Sequence, residues 1–143
     1  MKPRRLGVKL HGVPLTRQAR DLIHAAAGGL GQLLIRWGKR LGARIIGTVG
    51  SEAKRSLALQ AGAEEVLLPS EPSWPQRARQ IADSKGVHLA VDGIGGAMLA
   101  QTLASVRPFG LTVSLGQPAG PIPPIKVEDL GAGRTAGSVI LTV

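Results

Sequence analysis

Residues 21–55 have the pattern of one strand, a glycine-rich turn, a helix and a second strand. An apolar run, formed by Leu22, Ile23 and the alanines at 25–27, leads directly into the glycines at 28, 29 and 31. The segment that follows, QLLIRWGKRL, has apolar residues at the spacing of an amphipathic helix and is followed by a second apolar run. This order is typical of the βαβ unit that binds dinucleotides, so the sequence predicts a parallel sheet with a nucleotide at the glycine turn.

The residue types in this turn suit a bound pyrophosphate. Gly28 allows a sharp bend and a close approach of the backbone to the phosphates, and Gly31 allows the helix to pack closely on the strand. Free N–H groups and the partial positive charge at the helix start then face the anion. Ala26 stands where the GxGxxG pattern has its first glycine, and a small residue still fits there. The alternative is an Ala/Gly-rich loop that only turns the chain.

The end of the second strand indicates which cofactor is bound. An NAD site usually places Asp or Glu there, about 20 residues after the glycines, to accept from the ribose 2′-OH. This chain has Gly50 and Ser51 instead, followed by Lys54 and Arg55, which can neutralise a 2′-phosphate. The sequence therefore favours NADP(H) over NAD(H). We interpret the nearby Glu52 as a partner of the helix dipole, and a solvated side chain is the alternative for Lys54.

A third candidate position follows the fourth predicted strand. Asp92 ends that strand, and Gly93, Gly95 and Gly96 come directly after it. Ligands bind at the carboxyl ends of strands in doubly wound sheets, which makes Asp92 a candidate for contact with a ribose or the catalytic cleft. An acid at a strand end is as often a turn or helix cap, and that alternative stays open.

These residues carry a family resemblance. The string HAAAGGLGQLLIRWGKRLGARIIGTVGSEAKRSLALQAGAEEVL resembles the cofactor domain of zinc-independent quinone oxidoreductases, the zeta-crystallin-like branch of the medium-chain dehydrogenase/reductase superfamily. Two later segments, LAVDGIGGAMLAQTLASVRPFGLTVSLGQPAGPIPP and GSVILTV, resemble the family's fourth to sixth strands. The resemblance implies transfer of a hydride from NADPH to a quinone or enone. The implied cofactor contacts are Gly28, Gly29, Leu30 and Gly31 for NADPH, Ser51 and Lys54 for its 2′-phosphate, and Asp92, Gly93 and Gly116 on the nicotinamide side.

The chain departs from the family at two points. The family has a Tyr after its third strand, near the adenosine, whereas this chain has Pro69 at that position and no Tyr anywhere. Enzymes of the family also carry a substrate domain ahead of the dinucleotide fold, where this chain has only residues 1–20. We therefore expect the cofactor half of an enzyme, with no catalytic residue assigned. A catalytically silent NADP(H)-binding module or a truncated product is the alternative.

Alternating apolar patterns predict one α/β domain. A chain of 143 residues with 43% hydrophobic content is long enough for a single core. We expect a doubly wound, three-layer Rossmann fold over 21–143, with the strand order 3-2-1-4-5-6, a Pro/Gly-rich loop at 117–137 and a terminal edge strand within 138–143. That edge would pair with a second copy in a homodimer. The predicted strands are 22–26, 44–49, 64–68, 87–92, 111–115 and 138–141, and the predicted helices are 29–41, 52–61, 74–84 and 97–106.

Charge and composition limit the other classes of function. The net charge is +9, and residues 1–20 contain six Lys or Arg and no acid, which predicts a flexible basic arm. The chain has one Phe, two Trp and no Tyr, so stacking surfaces for nucleic acid are not expected. It has no run of 18 apolar residues and therefore no predicted membrane span. A cytoplasmic location is expected, since the chain has no Cys.

The histidines and tryptophans have structural interpretations. The chain has three His and no Cys, and the spacing of His11, His24 and His88 does not suggest a metal site. We expect His24 and His88 to lie within strands as packed, neutral rings. Trp37 is interpreted as a core or interface residue, and Trp74 as the cap of a loop.

Overall fold

Six parallel strands form one sheet in a computed structural model of the chain, which describes residues 19–126 and 139–142. The sheet has the order β3-β2-β1-β4-β5-β6, which confirms the predicted order. The strands are β1 Arg20–Ile23, β2 Arg44–Thr48, β3 Glu65–Leu67, β4 Val87–Asp92, β5 Val106–Ser114 and β6 Val139–Thr142. The helices are α1 Gly29–Arg40, α2 Arg55–Ala61, α3 Trp74–Ile81 and α4 Met98–Ser105, with a 3₁₀ turn at Glu52–Lys54.

Both faces of the sheet are covered by helices, as the three-layer prediction requires. Successive residues of a strand point to opposite faces, so Leu22 and Ile23 belong to different cores. Leu22 packs in a cluster with residues of α3, including Trp74. Ile23 packs with Ile35 of α1 and Ala58 of α2. Each buried aliphatic side chain contributes about 1.5–3 kcal/mol, so both layers stabilise the fold.

Two elements end earlier than their apolar pattern predicts, because the backbone conformation changes there. The strand β1 ends at Ile23 instead of the predicted residue 26, because Ala25 has a φ of 49° and bends the chain. His24 therefore follows the strand instead of lying within it. The helix α3 ends at Ile81 instead of residue 84, because Asp83 and Ser84 have φ values of 57° and 62°.

The strand β5 begins five residues before the predicted start at 111, directly after α4. Its first half contains Arg107, Pro108 and Phe109, and Phe109 has a φ of 61°. The pairing with β4 is irregular there, since the register shifts between Val87 and Leu89. A segment with Pro and Gly at this spacing resembles a turn, which explains why its sequence does not predict a strand.

The prediction for Trp74 was wrong, because its side chain lies in the core. Only 1% of the residue is exposed, and its indole N–H donates to Gln101 Oε1 at 2.9 Å. Pro75 directly after it suits the first turn of a helix as well as a loop. Trp37 is 61% exposed, which excludes the core interpretation and leaves the interface as a prediction.

The ends of the predicted domain fall partly outside the described residues. Residues 1–18 of the basic arm, residues 127–137 of the long loop and residue 138 of the predicted last strand are among those not described. Ala19 is buried and Arg20 begins β1, so the fold extends slightly beyond its predicted start at residue 21. The strand β6 lies at the edge of the sheet beside β5, as predicted. No helix in the described part is long and apolar enough to cross a membrane.

Candidate functional site

The turn between β1 and α1 is held by main-chain hydrogen bonds. Ala26 N–H donates to Thr48 O at 2.9 Å, which ties the turn to the end of β2. Gly28 N–H donates to Ala25 O at 3.0 Å and closes the bend. The side-chain amide of Gln32 reaches back from α1 to donate to Ala27 O at 2.8 Å. These contacts give the loop a single shape that its Ala and Gly residues alone would not impose.

Gly31 is required because α1 passes very close to this turn. A Cβ at Gly31 would lie 2.2 Å from Ala25 O and 2.8 Å from the Ala26 Cα, which no real contact allows. Gly28 is less constrained, since its Cβ would lie 3.3 Å from Ala25 O, and a Cβ at Gly29 would meet nothing within 4 Å. The close packing of helix on strand expected for the third glycine of the pattern is therefore present.

The first residues of α1 have main-chain donors without an acceptor in the described part of the chain. The N-cap is Gly28, which has no side chain to cap the helix. The first intrahelical hydrogen bond runs from Gln32 N–H to Gly28 O. The N–H groups of Gly29, Leu30 and Gly31 therefore have no acceptor within the helix. The first turn contains no acid, and Gly28, Gly29 and Leu30 are exposed. Among the described residues no acceptor faces these three N–H groups, and donors at the positive end of a helix can bind an anion.

The end of β2 lies beside this turn and presents one available cation. Gly50 and Ser51 are exposed, and the Ser51 side chain makes no capping hydrogen bond. Lys54 is exposed, and no hydrogen bond or ion pair of its side chain occurs within residues 19–126. Lys54 is thus available for an added negative charge, with Ser51 three residues before it. Its contact with a 2′-phosphate stays a prediction.

Arg55, the second basic residue predicted to face a 2′-phosphate, is already occupied. Its Nε donates to Glu52 Oε1 at 2.7 Å and its Nη2 to Glu52 Oε2 at 3.0 Å, while Nη1 donates to the main-chain oxygen of Val66. The hydrogen bond from Arg55 lowers the pKa of the Glu52 carboxyl below its ordinary value. Glu52 is therefore held by Arg55 and not only by the helix dipole.

Asp92 is fully buried beneath the turn that follows β4. Its Oδ1 accepts from the N–H groups of Ile94 and Gly95 at 2.8 and 3.0 Å, and its Oδ2 accepts from the Thr102 hydroxyl at 2.9 Å. With 0% exposure and three donors, the carboxylate shapes this turn, which is the capping alternative that the sequence left open. Gly93, just beyond it, has open space where a side chain would stand.

The turn after β5 is joined to the Asp92 turn. Leu115 N–H donates to Asp92 O at 2.8 Å, and Ala119 N–H donates to Ile94 O at 3.0 Å. Gly116 follows Leu115 and is partly exposed. The predicted contact residues therefore lie at or just after the carboxyl ends of β1, β2, β4 and β5, in the turns there or in the first helical residues that follow. This is the carboxyl edge of a parallel sheet, where doubly wound folds bind their ligands. These residues are Ala26, Gly28, Gly29, Leu30, Gly31, Gly50, Ser51, Lys54, Asp92, Gly93 and Gly116.

A buried polar network beneath these turns was not predicted. His24 Nδ1 lies 2.7 Å from the Thr48 hydroxyl, and His24 Nε2 lies 2.7 Å from the Thr102 hydroxyl. The Trp74 ring meets the His24 ring edge-on at 5.2 Å between centroids. Burial lowers the pKa of His24 to about 4, so the ring is neutral as expected. A histidine immediately before the glycine turn is a signal that could have pointed to this position, whereas Thr102 carries no such signal.

Sequence and structure comparisons agree with this geometry. The model of a family described as zinc-binding dehydrogenase matches residues 29–140. The chain belongs to the zinc-binding dehydrogenase family. Within the described residues, this family member has no group of three or more His, Cys, Asp or Glu side chains that could hold a metal ion.

Relatives of this family member include reductases of the predicted branch. It is 38% identical over 122 residues to a 2-haloacrylate reductase of Burkholderia sp.. It is 39% identical over 121 residues to a quinone oxidoreductase of Salmonella typhimurium. Each match covers 85% of the chain but only 36% of the relative, so the chain spans about a third of the relatives' length. The predicted resemblance to quinone oxidoreductases is confirmed.

Solved structures give the same result for the fold. A crystal structure of 2-haloacrylate reductase matches with a TM-score of 0.84 and 34% identity, over 94% of this chain and 42% of that one. The Escherichia coli quinone oxidoreductase, crystallised in complex with NADPH, matches with a TM-score of 0.78 and 32% identity, over 87% of this chain and 38% of that one. The fold is therefore that of the nucleotide-binding part of these enzymes.

Proposed function

We propose that this chain is the NADP(H)-binding domain of a quinone oxidoreductase-type enzyme, and that the complete enzyme reduces a quinone or an enone. The observation that carries the proposal is the uncapped first turn of α1, open to solvent and close to the end of β2, where Lys54 is available. A phosphorylated dinucleotide has phosphates for both places. Relatives named as quinone oxidoreductases, one of them crystallised with NADPH, support the same reading.

The residues present fit this cofactor. The N–H groups of Gly29, Leu30 and Gly31 would hold the pyrophosphate, and the absence of an acid in the first turn of α1 leaves that place free of repulsion. Ser51 and Lys54 would hold the 2′-phosphate by a hydroxyl contact and a charge-assisted contact. When bound, NADPH supplies the hydride equivalent, and the turns bearing Gly93 and Gly116 would border its nicotinamide side.

Comparison of two nucleotides tests the assignment. NADPH should bind more tightly than NADH, as measured by isothermal titration calorimetry. Lys54→Ala should cost about 1–3 kcal/mol of NADPH binding, because a charge-assisted contact is lost, and should leave NADH binding unchanged. Lys85→Ala is the matched control, because Lys85 is also exposed but precedes β4 at the opposite edge of the sheet. Equal affinities for NADPH and NADH in the unsubstituted chain would contradict the proposal.

Turnover is a separate part of the proposal. Oxidation of NADPH, followed by its absorbance with a panel of quinones and enones, tests it directly. Binding of NADPH without any turnover would favour the alternative function, a nucleotide-binding module that is catalytically silent as it stands. The cytoplasmic location stays a prediction that cell fractionation can test.

The homodimer also stays a proposal. The strand β6 is the last strand of the sheet in the described part of the chain. The outer edge of a last strand can pair with a second strand. We expect light scattering after size-exclusion chromatography to give twice the monomer mass, and a mass that remains monomeric at high protein concentration would contradict it.

A further inference from the structure

The His24 network connects the two halves of the proposed nucleotide site. His24 follows β1 and leads into the glycine turn, while Asp92 ends β4 and supports the turn containing Gly93. The contacts run from Thr48 to His24, from His24 to Thr102, and from Thr102 to Asp92, at 2.7, 2.7 and 2.9 Å. At most 3% of any of these four residues is exposed, so water does not compete for the contacts.

The network has one consistent arrangement of protons. The Thr102 hydroxyl has a single proton, and its other neighbours, Asp92 Oδ2 and Met98 O, can only accept. Thr102 therefore donates to these oxygens and accepts from His24 Nε2–H. In a neutral ring, Nδ1 then carries no proton and accepts from the Thr48 hydroxyl. The chain of donors runs in one direction, from Thr48 to the Asp92 carboxylate.

This arrangement fixes the distance between the two turns. Both ring nitrogens of His24 are used, so the ring cannot rotate without losing two buried hydrogen bonds. The Trp74 ring also packs against the His24 ring, with the two ring planes nearly perpendicular at 86°. On the Asp92 side, the carboxylate holds the N–H groups of Ile94 and Gly95, which set the shape of the turn.

We propose that His24, as the neutral ring protonated on Nε2, is a positioning residue that holds the glycine turn and the Asp92 turn at the separation a full dinucleotide requires. The inference rests on the proposed binding of NADP(H). A ligand that spans both turns depends on their separation, whereas a ligand that occupies only the α1 and Lys54 side does not. This difference distinguishes positioning from a general contribution to stability.

Two ligands and four variants test the proposal. NADPH spans both turns, and adenosine 2′,5′-bisphosphate carries the 2′- and 5′-phosphates but no nicotinamide half. Thr102→Val removes the hydroxyl at nearly constant volume, Thr102→Ser retains it, and His24→Phe removes both ring nitrogens. Thr112→Val is the matched control, because the Thr112 hydroxyl is buried and has no hydrogen-bond partner in the described part of the chain.

We expect Thr102→Val and His24→Phe to bind NADPH roughly tenfold more weakly. Both should bind the bisphosphate like the unsubstituted chain, and Thr102→Ser and Thr112→Val should bind both ligands normally. Unchanged NADPH binding in Thr102→Val, or an equal loss for both ligands, would overturn the inference. If His24→Phe does not fold, the two Thr102 variants still decide the question.

A ligand-free measurement tests the ring itself. Nitrogen-15 NMR of the imidazole should show Nε2 with a proton and Nδ1 without one between pH 8 and about 5, where the pKa of His24 keeps the ring neutral. A proton on Nδ1 would overturn the proposed arrangement. If the unsubstituted chain binds neither nucleotide, the proposed function fails, and the NMR signal still tests the positioning network separately.

Discussion

His24 and His88 lie at opposite edges of the sheet and have opposite surroundings. At the carboxyl edge, each ring nitrogen of His24 faces a group of matching polarity. At the amino edge, His88 Nδ1 accepts from Arg20 N–H, which leaves the proton of a neutral ring on Nε2, directed at the Arg107 guanidinium. The His88 Nε2–H and the Arg107 guanidinium are then both donors, with no acceptor between them. Burial and the Arg107 charge lower the pKa of His88.

The acids at the two edges differ in the same way. Asp92 is fully buried with three donors, whereas Asp21 is 4% exposed and its Oδ1 has no hydrogen-bond partner among the described residues. Arg20 Nε beside it is also buried without a partner in the same part of the structure. Matched polar groups thus occur where the turns of the proposed site need a fixed shape.

The largest expected effect concerns Asp21 and pH. Burial raises the pKa of Asp21 from its ordinary value of 3.8 to about 7. Between these pH values the unfolded chain has lost the proton and the folded chain keeps it, so stability falls as the pH rises, by about 4 kcal/mol in total. Asp21→Asn should remove this contribution, so that the stability of the variant relative to the unsubstituted chain rises with pH in urea unfolding experiments between pH 4 and 8. Parallel curves for the two proteins would contradict the unsatisfied burial of Asp21.

His24 should change the pH dependence of stability in the opposite direction. Burial lowers the pKa of His24 from 6.5 to about 4, so the unfolded chain takes up a proton first as the pH falls through this window. Stability is then lost on acidification, by about 3 kcal/mol. In the same experiments Asp21→Asn should become more stable from pH 4 to 6.5, and His24→Gln should become less stable. The unsubstituted chain should show a flatter profile, because the two contributions oppose each other.

Substitution of two glycines distinguishes an effect on stability from an effect on binding, and its expected effect on stability is smaller. A Cβ at Gly31 would lie 2.2 Å from Ala25 O, and one at Gly86, which has a φ of 100° near the amino edge, would lie 2.6 Å from Arg107 N. Substitution of either by Ala should cost about 1–3 kcal/mol of unfolding free energy, because neighbouring main chain must move. Only Gly31→Ala should also weaken NADPH binding. Similar binding losses in the two variants would contradict the location of the site.

The sequence predicts what depends on local pattern. Alternating apolar segments and the glycine turn were enough for the strand order and for the positions of Gly31, Ser51 and Lys54. It does not predict contacts that depend on distant residues. Thr102 is 78 positions from His24 and looks like an ordinary helix residue, and the burial of Trp74 follows from packing under the sheet. Arg55 looks as available as Lys54 until Glu52 and Val66 O are placed beside it.

The Ala26 position shows how a motif can extend across strands. A Cβ at Gly47, on the neighbouring strand β2, would lie 2.8 Å from the Ala26 methyl group. The volume added where the pattern usually has a glycine is thus balanced by a glycine elsewhere in the sheet. A pattern written along one segment counts Ala26 as a mismatch. A pattern that treats positions 26 and 47 as a pair would accept an Ala at 26 when position 47 is Gly, and would still recognise the turn.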